Sequence, residues 1–350
     1  MHDIVIKGAQ VADGLGSPLY SADVAVKNGR IAEIGQLNGE AYESVDADGL
    51  VLAPGIVDVH THYDAQLTWD SNATPSPSLG VTTVVVGNCG FSIAPCPPDC
   101  RDLISRNLAE VEGMSLTALR SGTNWGFESF SEYIDLLRRK GVTPNVAAFI
   151  GHSAVRTTVM KDEASDRSAT EAEVAEMRDL VRDGMDAGAI GFSTSTSVNH
   201  HGDRGVPMPS RLADESELRT LVGVLGEKGR GVFQVTVGPN LTTEVMESLA
   251  AENNCPVFQT AALYNDAFPD RAPKMVADSA EAQARGNQLW AQVSCQPLSM
   301  DFALPAAFPM QSLDAWAPLI NADSANFERK IRESEFRHRF RHDLETPQKG

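Results

Sequence analysis

Cysteine is scarce in this chain: five among 350 residues, at positions 89, 96, 100, 255 and 295. An odd number spaced so widely argues against a disulfide scaffold. Cys96-Pro97-Pro98-Asp99-Cys100 has the gap of a metal finger but no second pair, and two prolines stiffen it. Cys255 and Cys295 fall inside apolar β-runs, which predicts buried core thiols. Positive charge is also in short supply, with 29 Lys and Arg against 47 Asp and Glu and a net charge of -18. That balance argues against nucleic acid as a partner and disfavours an anionic membrane. No apolar run approaches the roughly 20 residues of a membrane-spanning helix. The opening Met1-His2-Asp3-Ile4 has neither the basic nor the apolar region of a signal peptide. The expectation is a soluble, cytoplasmic protein with no nucleic acid and no membrane among its partners. Oligomeric state is not legible.

What the chain does have is a change of rhythm. Residues 1–52 read as short alternating strands broken by glycine turns, such as Lys27-Asn28-Gly29-Arg30, a strong hairpin signal. From Pro54 onward, apolar β-runs alternate with helical stretches, as in a parallel α/β barrel. The expected barrel strands are 56–60, 81–86, 145–150, 189–193, 232–236, 256–260 and 289–295. Helices are expected over 129–139, 170–186 and 214–228. Thr170 with Glu173 makes a capping box for the second, and Gly188 lies just past its end. These divisions predict a small β-domain over 1–52 and a (β/α) barrel domain over 53–350. Seven strands are visible where a closed barrel needs eight. After Cys295 come a proline-rich stretch and a charged helical segment over 324–341, with no further β-run, so the 350 residues are expected to be a truncated form.

The first barrel strand runs Pro54-Gly55-Ile56-Val57-Asp58-Val59-His60-Thr61-His62. Side chains alternate along a strand, so His60 and His62 share a face. Two neutral imidazoles converging from one strand end suit a divalent transition metal, most often zinc. The second strand delivers Gly87-Asn88-Cys89-Gly90, where a cysteine between glycines can present a thiolate to the same ion. The ligand set read from this pattern is His60, His62 and Cys89, holding one zinc with an open position.

The segments PGIVDVHTHYD and LGVTTVVVGNCGFSIAP resemble the amidohydrolase superfamily, and within it the N-acyl-D-amino-acid deacylases (D-aminoacylases). Gly151-His152-Ser153-Ala154-Val155-Arg156 is similar to that family's Gly-His-Ser-x-x-Arg segment. Gly188-Ala189-Ile190-Gly191-Phe192-Ser193-Thr194 is similar to its Gly-Ala-x-Gly-x-Ser-Thr strand. The likeness covers roughly residues 3 to 300 and implies a metal-dependent hydrolase-type (β/α)8 barrel with a small N-terminal β-domain. It implies hydrolysis of linear, non-peptide amide bonds in small N-acylated amino acids, D-configured ones among them. A zinc ion would polarise the carbonyl and activate water. The general-base aspartate follows the eighth strand in that family and is therefore expected beyond Gly350, so little activity is expected of these 350 residues alone.

The chain departs from the family pattern at two places. Similar deacylases carry metal-binding histidines at the ends of strands five and six, where Thr236 and Ala261 stand here. His201, or His200 beside it, lies in the loop after strand four and can replace a lost ligand or meet substrate. His152 at the rim is read equally as a substrate or metal contact and as a structural histidine. Arg156 and Arg211 suit a bidentate clamp on a substrate carboxylate, against the commoner case of an exposed surface arginine. Gln234 shares a face with Thr236, and if that face is interior the pair substitutes a hydrogen-bonding site for a metal one. Two alternatives stay open. One is a non-catalytic or metal-free binding protein on this barrel. The other is a cyclic-amide hydrolase of the hydantoinase or dihydropyrimidinase type, which the missing lysine after Phe192-Ser193-Thr194-Ser195 opposes.

Overall fold

A computed structural model of the chain describes residues 1–264, 266, 268–296, 299, 304, 307, 310, 313–320 and 322–346, with the side chain of Arg204 outside that set. The chain divides into two compact units, Met1–Val57 with Gly80–Thr82, and Asp58–Leu79 with Thr83–Gly350.

The smaller unit carries β1 (His2–Val11), β2 (Tyr20–Lys27), β3 (Arg30–Gly35), β4 (Ala41–Asp46) and β5 (Val51–Leu52). β2 runs antiparallel to β1 and to β3, while β4 and β5 pair with β1 in parallel. Every second residue of β1 and β2 turns inward, so Ala9, Val11, Ala22 and Val24 bury with Ala47 as a small core. The expected hairpin joins β2 to β3, with Asn28 and Gly29 both left-handed at φ 53° and 69°, as a two-residue primed turn requires.

In a second sheet β6 (Ile56–Asp58), β7 (Val81–Val86), β8 (Asn145–Gly151), β9 (Gly191–Ser195), β10 (Val232–Thr236), β11 (Val257–Thr260) and β12 (Leu289–Ala291) lie in chain order. Neighbours from β7 to β12 pair in parallel. Parallel neighbours need crossovers. These are α1 (Arg101–Val111), α2 (Leu116–Gly122), α3 (Phe130–Lys140), α4 (His152–Met160), α5 (Glu171–Asp186), α6 (Glu215–Lys228), α7 (Thr243–Asn253) and α8 (Arg271–Ala284). α9 (Ser324–Arg332) and α10 (Ser334–Glu345) follow β12. The fold is the expected hydrolase-type (β/α) barrel architecture, seen through seven strands.

Local chemistry accounts for the element ends. Both Ser129 with Glu132 and Thr170 with Glu173 form complete capping boxes, and Asp214 caps α6. Strand ends depart from expectation in three places, and one helix divides. The fourth barrel strand spans 191–195 rather than 189–193, because the Ala189 amide still bonds the Gly184 carbonyl at 3.0 Å and belongs to the end of α5. β6 stops at Asp58, whose carboxylate accepts from the His60 amide at 3.2 Å and turns the chain. β12 stops at Ala291, so Cys295 is exposed and not a core thiol, while Cys255 is buried as expected. The charged segment 324–341 is two helices, because Glu333 takes an extended conformation between them. Much of the proline-rich stretch before Pro318 lies outside the described residues. Among the described residues, no helix is long and apolar enough to cross a membrane.

Candidate metal centre

The C-terminal ends of β6, β7 and β10 to β12 bring one polar cluster together. Beyond β6, Thr61 is tied to β7, its amide and hydroxyl both donating to the Val85 carbonyl at 3.0 and 2.7 Å. With Thr61 held that way, the flanking His60 and His62 turn to one side, their rings 5.2 Å apart and edge to face. Cys89 meets them there. Its Sγ lies 3.1 Å from His60 Nε2 and 3.8 Å from His62 Nε2. One donor atom from each residue falls within 4.8 Å of the other two. A tetrahedral zinc with bonds of about 2.05 Å to nitrogen and 2.3 Å to sulfur needs N···S separations of about 3.5 Å, which the two observed distances bracket.

The thiol is presented by a strained turn. Gly87, Cys89 and Gly90 are left-handed, at φ 76°, 57° and 76°. For cysteine that conformation costs about 1–2 kcal/mol, so the surroundings must hold it. Asn88 Nδ2 donates to the Val85 carbonyl at 2.9 Å, and the Gly87 amide donates to Asp64 Oδ2 at 3.1 Å. The Cys89 amide donates to Gln234 Oε1 at 2.7 Å, and the Gly90 amide to Ser193 Oγ at 3.0 Å. A Cβ at Gly87 would sit 2.3 Å from the Phe149 carbonyl oxygen, so no other residue fits.

Burial sets the protonation of the cluster. It holds His60 and His62 down at about 4, so both imidazoles are neutral and able to bind a cation at pH 7. Burial likewise pushes the Cys89 thiol up to about 12, helped by the nearby Glu112 and Asp64 carboxyls. It raises Asp64 to about 7 and Glu112 to about 8. Glu112 Oε1 stands 3.3 Å from His62 Nδ1 but out of line for a hydrogen bond, since that nitrogen is buried without a hydrogen-bond partner. The buried Thr236 hydroxyl is likewise without a bond of good geometry, although it lies beside the Cys89 thiol. Two orphaned polar atoms and a proton-loaded thiol lie beside the two neutral imidazoles. A divalent ion displaces a thiol proton and is bound by the thiolate. A donor set of two imidazole nitrogens and one thiolate sulfur fits zinc.

The model of the amidohydrolase family matches residues 43–322. The chain belongs to the amidohydrolase family. It is 42% identical to a D-aminoacylase of Alcaligenes xylosoxydans xylosoxydans over 197 residues, which is 55% of this chain and 37% of that one. A crystal structure of D-aminoacylase superposes with a TM-score of 0.69 at 30% identity, covering 85% of this chain and 59% of the other. An N-acyl-D-glutamate deacylase from Bordetella bronchiseptica, complexed with zinc and a phosphonate inhibitor, gives 0.67 at 27% identity with the same coverage. The chain thus spans less than two thirds of the length of each.

In this amidohydrolase the strand-five and strand-six ends carry hydrogen-bonding groups. Gln234 on β10 is fully buried, bonded through Oε1 to the Cys89 amide and through Nε2 to Thr260 Oγ1 at 2.8 Å. The face it shares with Thr236 is interior, as considered above. His152 and Arg156 sit at the start of α4, both with no exposure. Arg156 is therefore neither a surface arginine nor open to a ligand. Its Nη1 reaches both oxygens of Glu217 at 2.6 and 2.5 Å. His152 Nε2 donates to Glu217 Oε1 at 2.7 Å, and Nδ1 accepts from Thr194 Oγ1 at 2.8 Å. Burial alone would raise Glu217, but the hydrogen bond from His152 and the charge of Arg156 outweigh it and bring the carboxyl to about 2. Of the adjacent loop histidines, His200 rather than His201 turns toward the cluster: its ring packs 4.8 Å from Phe91, which packs against His62. His200 Nδ1 is bonded to Ser195 Oγ at 2.7 Å. His201 stays half-buried in a bridge to Pro207. Arg211 is spent on the His200 carbonyl at 2.9 Å.

Three site groups were missed from sequence. Asp64 directly follows the His-x-His segment, which is a usable signal. Gln292 and Glu112 come from distant segments with no motif around them.

Proposed function

We propose that this amidohydrolase belongs to a metal-dependent hydrolase of linear amides, acting on small N-acylated amino acids and among them N-acyl-D-amino acids. The observation that carries the reading is the convergence of one donor atom each of His60, His62 and Cys89 within 4.8 Å at the strand ends, in a chain most like deacylases among the relatives described. A bound zinc supplies Lewis-acid polarisation of an amide carbonyl and a lowered pKa for water. The protein's own residues do the rest. His60, His62 and Cys89 hold the ion, and Glu112 lies 3.3 Å from the outer nitrogen of His62 without a hydrogen bond to it. Burial excludes bulk water and keeps the imidazoles neutral. A single ion is supported by the replacement of the strand-five and strand-six donors with Thr236 and Ala261. For substrate contact we propose the loop after β9, with His200 in place of the expected His201 on the side of the cluster. The buried bonds of His152, Arg156 and Gln234 support a scaffolding role for those three. The same reading takes 1–52 as the small β-domain, 53–350 as the hydrolase domain, and the cytoplasm as the compartment.

The test is elemental analysis of purified protein beside His60→Ala and Cys89→Ala, followed by assay of N-acetyl-D- and N-acetyl-L-amino acids. About one zinc per chain in the wild type, lost in both variants, is the expected result. A folded wild type that takes up no metal from supplied zinc would overturn the reading in favour of a non-catalytic binding protein. A cyclic-amide hydrolase lacks support here, because β9 ends in Ser193-Thr194-Ser195 without the lysine such enzymes use.

A further inference from the structure

Four hydrogen bonds join the two ends of the cluster through side chains that the metal itself does not need. The Cys89 amide donates to Gln234 Oε1 at 2.7 Å, and Gln234 Nε2 donates to Thr260 Oγ1 at 2.8 Å. Thr260 Oγ1 donates to Gln292 Oε1 at 2.5 Å, and that same oxygen lies 3.0 Å from His60 Nδ1. The direction of the series follows from its first and third members. A backbone N–H can only donate, so the Gln234 oxygen must face Cys89 and its NH2 must face Thr260. The Thr260 oxygen accepts there, and its 2.5 Å separation from Gln292 lies in the range of O–H···O bonds and below that of N–H···O bonds, so the hydroxyl donates and Gln292 offers its carbonyl oxygen. An acceptor-only oxygen opposite His60 Nδ1 requires that nitrogen to carry the proton. His60 Nε2 is then left with its lone pair, aimed at Cys89 Sγ 3.1 Å away.

We infer that Gln234, Thr260 and Gln292 form a positioning relay that locks His60 in its Nδ1–H tautomer and couples its orientation to that of the Cys89 turn. The relay closes into a ring: Cys89 backbone, Gln234, Thr260, Gln292, His60 and back to Cys89 Sγ. Its members come from β10, the end of β11 and the residue after β12, so strands five to seven contribute orientation where they contribute no ligand. The Gln292 backbone is itself pinned, its amide donating to the Gln259 carbonyl at 2.9 Å and its carbonyl accepting from Ala262 at 2.8 Å. An amide relay does here what a carboxylate does behind many metal-binding imidazoles, without adding charge to a buried site. The relay's value for metal binding rests on the proposed roles of His60 and Cys89. Its control of the tautomer does not.

Thr260→Val cuts the ring at the member farthest from both donors while keeping shape. Two measurements on the 350-residue chain test the inference. The first is the 15N spectrum of the metal-free, histidine-labelled protein, with His60 assigned by its loss in His60→Ala. The wild type is expected to show His60 protonated at Nδ1, and Thr260→Val a mixture of tautomers. The second is zinc affinity by chelator competition, expected to fall about 10–100-fold in Thr260→Val. Gln292→Glu, which keeps the acceptor, is expected to retain the Nδ1–H tautomer, whereas Gln292→Met is expected to lose it. Should Thr260→Val fail to fold, this half-buried Gln292 pair carries the test alone. A wild-type His60 protonated at Nε2, or a tautomer indifferent to Thr260→Val and Gln292→Met, overturns the relay. A wild type that binds no zinc yet shows the expected tautomers overturns the metal reading and leaves the relay standing.

Discussion

Replacing Arg156 by Met should destabilise the larger unit by about 3–5 kcal/mol at pH 7, the range for breaking one side of a buried ion pair. The burial of both partners places the pair in that range. Arg156 is completely buried and the Glu217 carboxylate nearly so, at 3% exposure, so neither charge is relieved by water when its partner is removed. Glu217 is held at about 2 against an ordinary value near 4.5, a shift worth about 3–4 kcal/mol at about 1.4 kcal/mol per unit, which His152 and Arg156 supply together. The pH dependence has a definite sign. A carboxyl depressed in the folded state contributes stability that is present above its unfolded pKa, about 4.5, and is lost as pH falls toward 2. In Arg156→Met the guanidinium is gone while the His152 hydrogen bond stays, so the carboxyl of the variant titrates above that of the wild type. The gap between wild type and variant should therefore be widest near pH 7 and narrow as pH falls toward 2. All four tryptophans, Trp69, Trp125, Trp290 and Trp316, lie in the larger unit. Urea unfolding followed by fluorescence reports it directly. Adding Glu217→Gln to the variant should recover most of the loss at pH 7, because the unpaired charge is then removed. A loss under about 1 kcal/mol, or a gap that does not change between pH 7 and about 2.5, would refute the reasoning.

Two further outcomes can be measured with the same protein. Gly87→Ala places a Cβ 2.3 Å from the Phe149 carbonyl oxygen at φ 76°, so we expect a loss of more than about 2 kcal/mol together with zinc binding. The control Gly113→Ala, also left-handed but with nothing within 4 Å, should lose only about 1 kcal/mol. Equal thermal shifts in the two would count against the tight turn. Between about pH 6.5 and 8 the metal-free chain should lose stability as pH rises, because Asp64 and Glu112, raised to about 7 and 8, hold protons that the unfolded chain has already released. Urea midpoints in chelator should fall across that window, and Glu112→Gln should flatten the slope. An unchanged slope in Glu112→Gln would show that this carboxyl is ionised throughout.

The amidohydrolase rhythm of strands and helices, the capping boxes at Ser129 and Thr170, and the primed hairpin at Asn28-Gly29 are all local facts, set by neighbours within about four residues. They were legible from the sequence alone for that reason. So was the core of the candidate site, since His60 and His62 share a strand end and Cys89 sits in a glycine turn just past the next one. Strand ends were less legible: Cys295 looked like a core residue because its apolar run continues after the pairing of β12 has stopped. The remainder depends on contacts between segments far apart in the chain, which no window of sequence contains. Arg156 reads as a surface or ligand-binding arginine until Glu217, 61 residues on, is folded against it. Of two adjacent histidines, only the path of the loop after β9 decides that His200 packs against Phe91 toward the cluster and His201 does not. Gln292 lies 232 residues from His60. The sheet alone makes them neighbours, because parallel strands in chain order bring their C-terminal ends to one side. The sequence by itself determined which atoms can bind a metal, and the tertiary structure decided which protons those atoms carry.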